Sequence, residues 1–373
     1  MAERHVARQT RMQLIGSRAQ LPKRVCLVGF DGLVEESFRA IDRRRSQAQY
    51  TVLASIEQFV TRLRKETEEG AVHAFELVEG HARMSGSAPW FSSALGALGV
   101  QVHFLGACGK PGCVHGAFAE VQKRATVYPV TPPAYERILE FNDGRVSFAD
   151  YRPLAEITWE LLEERVGDGA LRDLWAKAHL AAFLNWSRLT HLSLLWKRLL
   201  SELCHPSASL RKLLLFDLGD LRDLADADVR SALKILAEFQ AKHDVVLSLN
   251  DRESETVARV LRISGSCLDF ASAPSWAAAI REKAGISTVV IHCPRFAAAA
   301  DETTEDGLET PHTTKPKIVF QAGDHFNAGF CAGRLLGWKV AHSLQLGVAS
   351  AGFYVRHAAS PTREQLVRFL QTL

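Results

Sequence analysis

From about residue 155 onward, short apolar runs alternate with longer amphipathic stretches, and few architectures accept that rhythm. Leu180 to Leu184, Leu213 to Asp217, Val245 to Leu249 and Thr288 to His292 are such runs, and each is followed by helical spacing: through Leu200, through Ala241, beyond Asn250 and from about His325. A strand apolar on both faces has to be covered on both faces, which a mostly parallel sheet between two helix layers provides. In sheets of that kind ligands gather beyond the carboxyl ends of the strands. The residues that follow the runs, Gly29-Phe30-Asp31, Asn185, Asp217 and Asn250, are therefore expected around one crevice.

The N-terminal half is less regular. Arg24 to Gly29 and Val100 to Gly106 have the look of buried strands, and residues 46 to 70 place Ile56, Phe59, Val60 and Leu63 at helical spacing. Glu136 to Tyr151 holds two alternating runs joined by Asn142-Asp143-Gly144, a hairpin signal, and is expected in a small sheet apart from the main one. Asp301 to Lys317, acidic and rich in Thr and Pro, is expected as a solvated loop. Met84 to Gly109 carries no Asp, Glu, Lys or Arg, yet its serines and Gly96 and Gly99 argue against a membrane span. A loop, a small-residue helix and a buried strand fit it better.

Composition then removes several classes of function. Lys plus Arg is 45 and Asp plus Glu is 42 in 373 residues, a net charge of +3, too small to attract nucleic acid or a membrane surface. Cys26, Cys108, Cys113, Cys204, Cys267, Cys293 and Cys331 have no paired spacing and suit reduced thiols in a cytoplasmic protein. Residues 1–23 carry Arg4, Arg8, Arg11 and Arg18 without the apolar core of a secretory signal, and are expected as a frayed basic arm. Phosphate-loop, dinucleotide, zinc-protease and serine-hydrolase motifs are absent, and Cys108, Cys113 and His115 match no common zinc spacing.

The most informative segment is Gln321-Ala322-Gly323-Asp324-His325-Phe326-Asn327-Ala328-Gly329-Phe330. Small residues before an Asp at a helix start leave backbone N–H groups open to an anion, with a carboxylate beside them. An Asp that merely caps the helix is the plainer reading. The flanking Ala322-Gly323 and the later Gly329 tilt the balance, since close approach of backbone to a phosphate would account for them.

These residues resemble the PfkB or ribokinase-like carbohydrate kinases, whose C-terminal signature is GAGD followed by a helix much like HFNAGF; here Gln321 replaces the first glycine. The resemblance extends from about residue 24 to the C-terminus. It implies a three-layer α/β/α domain over residues 24–373 with a mostly parallel sheet and a small β-sheet lid from segments near 31–50 and 130–152. It further implies that Asp324 is the general base and that the Ala322 and Gly323 amides form an anion hole. Asn250 to Glu253 fits the family's NxxE motif about seventy residues upstream, where Glu253 would order water on magnesium beside the triphosphate. A helix-start Asn followed by acidic first-turn residues would look the same.

Carried over residue by residue, the family pattern makes Asp31 and then Glu35 candidates for sugar hydroxyls, a carboxylate being a natural reader of a diol. Ser85-Gly86-Ser87-Ala88-Pro89 aligns with the family's glycine pair and keeps only Gly86, which with Ser87 and Asn185 is assigned to the substrate. Asn250, Asn327 and Val348 are assigned to the nucleotide. ATP and magnesium are implied, with a sugar or nucleoside acceptor and a homodimer through the lid. A ligand sensor on the same scaffold is the rival that the altered glycine motif leaves open.

Overall fold

The computed structural model describes residues 2–68, 74–189, 191–204, 211–265 and 269–373. The chain opens with α1 (Ala2–Gly16) and enters the main sheet at β1 (Val25–Phe30). It leaves through β2 (Leu33–Arg44), β3 (Tyr50–Val52), α2 (Ile56–Glu68) and β4 (Leu77–Ser85), and returns by α3 (Ser87–Ala97) to β5 (Gln101–Ala107). A short hairpin, β6 (Gly109–Lys110) and β7 (Cys113–Val114), and α4 (Ala119–Gln122) lead to β8 (Thr126–Thr131). A second excursion follows as β9 (Ala134–Glu140) and β10 (Arg145–Asp150), then α5 (Arg152–Ala155), α6 (Trp159–Val166) and α7 (Asp168–Lys177).

Strand and helix then alternate: β11 (Leu180–Phe183), α8 (Leu192–Glu202), β12 (Leu213–Asp217), α9 (Asp226–Gln240), β13 (Asp244–Asn250), α10 (Asp251–Val260), α11 (Ala273–Ala284) and β14 (Thr288–His292). The hairpin β15 (Phe296–Ala300) and β16 (Glu305–Glu309) precedes α12 (Ala322–Leu335), α13 (Val340–His357) and α14 (Arg363–Phe369).

The nine strands of the main sheet run in the order β16-β15-β14-β13-β12-β11-β1-β5-β8. Those from β14 to β8 are parallel, and β15 and β16 extend the edge antiparallel. Alternate residues feed opposite layers: Leu27, Ala181, Phe216 and Leu247 pack on one face, and Cys26, Ala182, Leu215 and Val246 on the other. This is why the runs are apolar throughout. The second sheet, β10-β9-β2-β3 with β4 paired to β2, projects from the carboxyl ends of the strands as a lid. It has its own small core of Ala40, Leu53, Phe59, Leu139 and Phe141. Asp143, in the hairpin turn, accepts a hydrogen bond from the Ile56 N–H (3.0 Å) and so ties the turn to the start of α2.

Several expectations need correction. The basic arm is a packed helix: Ala7, Thr10 and Leu14 of α1 are buried, the Arg11 guanidinium donates to the Val367 carbonyl (3.1 Å), and Arg363 donates to that of Leu14 (3.2 Å). The helix expected across 46–70 starts only at Ile56, after β3. The solvated loop after Asp301 contains β16, whose acidic residues suit an edge strand that must not recruit another chain. Met84 to Gly109 is the end of β4, then α3 and β5, and no described helix is long and apolar enough to cross a membrane. Cys26, Cys108, Cys204 and Cys331 are buried and unbridged, burial pushing the Cys108 thiol up to about 12; Cys267 lies outside the described residues.

Candidate active site

Beyond the carboxyl ends of β11, β12 and β13, under the lid, lies a cavity of about 400 Å³ whose floor is the first turn of α12. Gln321 stands before that helix in the left-handed conformation (φ 60°). The first amide bonded back is that of His325, to the Gln321 carbonyl (3.3 Å). The N–H groups of Ala322, Gly323 and Asp324 therefore have no partner within the helix, and no side chain caps them. They form the positive end of a fourteen-residue helix facing a cavity. Gly323 lets the His292 ring come close, since a Cβ there would lie 2.9 Å from its Cε1. Gly329 has a different reason from the one expected: its missing side chain admits the Leu346 carbonyl, to which a Cβ would come within 2.6 Å. It serves the crossing of α12 with α13 and not a phosphate.

Asp324 is buried at the cavity wall, and its carboxyl is held well above the ordinary range by burial first, then by Asp217 and Asp31, with a hydrogen bond from the Ser87 side chain opposing. A carboxylate so raised is a stronger base than one in water. Asp217, at the end of β12, lines the same cavity and is pushed up to about 6, chiefly by burial, while it accepts from the Gly219 N–H (2.9 Å) and the Asn327 amide (3.1 Å). Strand position alone placed it in the crevice without a role.

Glu253 faces the cavity as well, its carboxyl raised by burial and then by Asp217. It is also half of a capping box: it accepts from the Asn250 N–H (2.9 Å) and Nδ2 (2.7 Å), while Asn250 Oδ1 accepts from the Glu253 N–H (2.9 Å). The two readings of this motif thus coexist, the cap holding the carboxylate in place. Two buried carboxylates, Asp217 raising Glu253 and itself raised by Asp31, are hard oxygen donors short of positive charge, a donor set that fits magnesium.

Other candidates sit elsewhere than expected. Asp31 is fully buried and does not line the cavity; its carboxylate accepts from the N–H groups of Ser87 (2.9 Å) and Ala88 (2.7 Å) and from Asn185 Nδ2 (2.7 Å). It braces the start of α3, where Gly86 (φ +97°) has no room for a Cβ beside it. Glu35 is also off the cavity wall, paired with Arg83 across the β2–β4 register and 3.9 Å from Arg145. Its work is within the lid. Asn327 is buried beneath the site, accepting from the Ser248 hydroxyl (2.6 Å) and donating to Asp217. None of these three side chains is open to a ligand in this structure. Gly86, Ser87 and Asn185 do line the cavity, together with Glu136 and Arg188, which no motif had singled out.

A second cavity, of about 610 Å³, lies on the other side of the α12 turn, with Val348, Ala351 and Val355 of α13 as its apolar wall. Asn250, His292 and Gly323 border both cavities. One compartment is acidic and polar, the other has an apolar wall on α13, and the start of α12 borders both. That is the layout required to pass an anionic group from one ligand to another.

Comparison with known proteins gives the family. A family model described as prokaryotic ketohexokinase matches residues 6–373. The chain belongs to that family. A ketohexokinase of Haloferax volcanii is 28% identical over 356 residues, covering 94% of this chain and 93% of that protein. The Thermotoga maritima ribokinase superposes with a TM-score of 0.63 at 14% identity, over 93% of this chain and 99% of its own. The Arabidopsis thaliana ribokinase, solved with ribose and ATP, gives 0.63 at 14% identity over 93% and 98%. The fold is thus ribokinase-like, and the chain is an ATP-using sugar kinase. Family membership sets it among phosphotransferases and not among sensors.

Proposed function

We propose that the chain is a ketohexokinase, transferring the γ-phosphoryl group of ATP to a primary hydroxyl of a ketohexose such as fructose, with Asp324 as general base. The observation that carries this reading is the α12 turn, whose open amides and Gly323 separate an acidic cavity from an apolar one. The sugar occupies the acidic compartment beside Gly86, Ser87 and Asn185. The nucleotide occupies the other, its base against Val348 and its phosphates directed to Asn250 and the turn.

Asp324 accepts the hydroxyl proton as the sugar oxygen bonds to phosphorus and the bond from phosphorus to the bridging oxygen of ADP breaks. The amides of Ala322 and Gly323 donate to the phosphoryl oxygens, where charge is concentrated during transfer. Glu253 with Asp217 would hold magnesium through its waters, and the ion supplies charge neutralisation to the phosphates. The lid strands close over the acceptor and exclude water, which otherwise competes for the phosphoryl group. The lid's outer face carries Phe148, 56% exposed, and is the surface on which a second copy would dock to form the homodimer.

The test is ADP release and sugar-phosphate formation with magnesium and ATP across ketohexoses, aldohexoses, pentoses and nucleosides. A ketohexose should be the best acceptor, and Asp324→Asn should cut turnover by ~10²–10⁴-fold without unfolding the protein. Equal rates for the variant and the wild type would remove Asp324 from the mechanism, and a preferred nucleoside would overturn the acceptor.

A further inference from the structure

We propose that His292 is a further catalytic residue, its imidazole N–H donating a hydrogen bond to the phosphoryl group as it crosses between the two compartments; the proposal rests on the kinase reading above. His292 is the last residue of β14, in register with Asn250 of β13, whose side chain holds Glu253. It lines both cavities, and so lies where any group passing between them must travel. Its ring edge faces the α12 turn: a Cβ on Gly323 would stand 2.9 Å from Cε1, 3.6 Å from Nε2 and 3.7 Å from Nδ1. Those atoms flank the open amides of the anion hole. The ring is steadied from behind by Phe326, one helical turn further on, with centroids 5.0 Å apart.

No described residue uses the ring's polarity. Neither nitrogen is hydrogen-bonded to a described residue, although the side chain is more than half buried. A polar ring at a cavity wall with no partner among the described residues is free to bond a ligand that enters there. Burial also pushes its pKa down to about 4, so the ring is neutral at physiological pH and retains one N–H. A neutral donor suits this position, since it stabilises phosphoryl charge without repelling a divalent cation beside Glu253.

The rival is a packing role against Phe326 and Gly323, and the variants separate the two. His292→Phe preserves a flat ring and removes both nitrogens; His292→Gln retains an N–H donor. The phenylalanine variant should lose ~10²-fold in kcat with the KM for sugar nearly unchanged. It should bind ADP normally but bind ADP with aluminium fluoride and ketohexose, a mimic of the transferring group, correspondingly more weakly. The glutamine variant should recover part of the loss. Wild-type kcat in His292→Phe, or equal weakening of ADP and of the mimic, would overturn the proposal. In the wild-type protein labelled with ¹⁵N-histidine, the His292 N–H signal should shift when aluminium fluoride joins the ADP–ketohexose complex, and an unmoved signal would equally sink the idea. If the wild type itself transfers nothing to any ketohexose, the kinase reading fails first, a result distinct from either outcome.

Discussion

Two helices begin beside a buried aspartate, and they have been put to opposite uses. At the start of α3, Asp31 reaches across from the end of β1 and takes the Ser87 and Ala88 amides on its own carboxylate. At the start of α12 the aspartate lies inside the first turn, and the amides before it stay open. Each helix is preceded by a residue of positive φ, Gly86 in one case and Gln321 in the other. The difference lies in whether the chain supplies its own anion. A helix start already satisfied by a built-in carboxylate is a brace; one left unsatisfied at a cavity wall can take a phosphate.

The same substitution at both starts should therefore fail in different ways. Gly323 has ordinary helical backbone, so Gly323→Ala should fold well, yet its methyl would press on the His292 ring 2.9 Å away and intrude on the transfer path. Turnover should fall about 10²-fold with little change in melting temperature. Gly86→Ala meets both a positive φ and Asp31 Oδ2 at 2.9 Å. It should cost ~1–3 kcal/mol of stability, read by urea denaturation. If the first lost stability and the second only activity, the distinction between brace and open site would collapse.

A second test concerns the charge that the open start carries. Folding raises the Asp324 pKa, so the native state keeps a proton that the unfolded chain releases above its own value of about 3.9. Stability from this group is present below that value and is lost as pH rises through the folded pKa. Asp324→Asn does not titrate. It should melt above the wild type at pH 8, and the gap should close as pH falls toward 4. A gap independent of pH would show that burial of this carboxylate costs the fold nothing.

The same contrast explains how much could be read from residues alone. The parallel strands were visible because burial on both faces demands uninterrupted apolar runs, and the α12 turn because Ala322-Gly323-Asp324 before an apolar helix is hard to explain otherwise. Asp31, Glu35 and Asn327 were placed near the site, but strand and helix spacing says where a Cα lies and not where a carboxylate points. All three are consumed by protein partners. His292 was hidden because a lone histidine at a strand end is ordinary; only the two cavities meeting at its ring single it out. The Ala297 to Ala300 part of β15 has weak strand preference and forms one because β14 offers it an edge. α1 was obscured by its arginines, which give the segment a basic look although Ala7, Thr10 and Leu14 between them are buried.

Gln321 supplies the finest discrimination between the two starts. The left-handed conformation suits glycine, and a residue with a side chain pays on the order of 1 kcal/mol to adopt it. Gln321 adopts it with φ 60° while its amide bonds to no described residue and borders the acidic cavity. At Gly86 the equivalent strain is avoided by having no side chain at all. Gln321→Gly should therefore gain about 0.5 kcal/mol, the relief of strain being partly offset by the freer unfolded chain. If the side chain also reads the sugar, the KM for the acceptor should rise while that for ATP stays put. A more stable variant with wild-type kinetics would mean that Gln321 is merely tolerated there, and that the turn owes its function to the open amides alone.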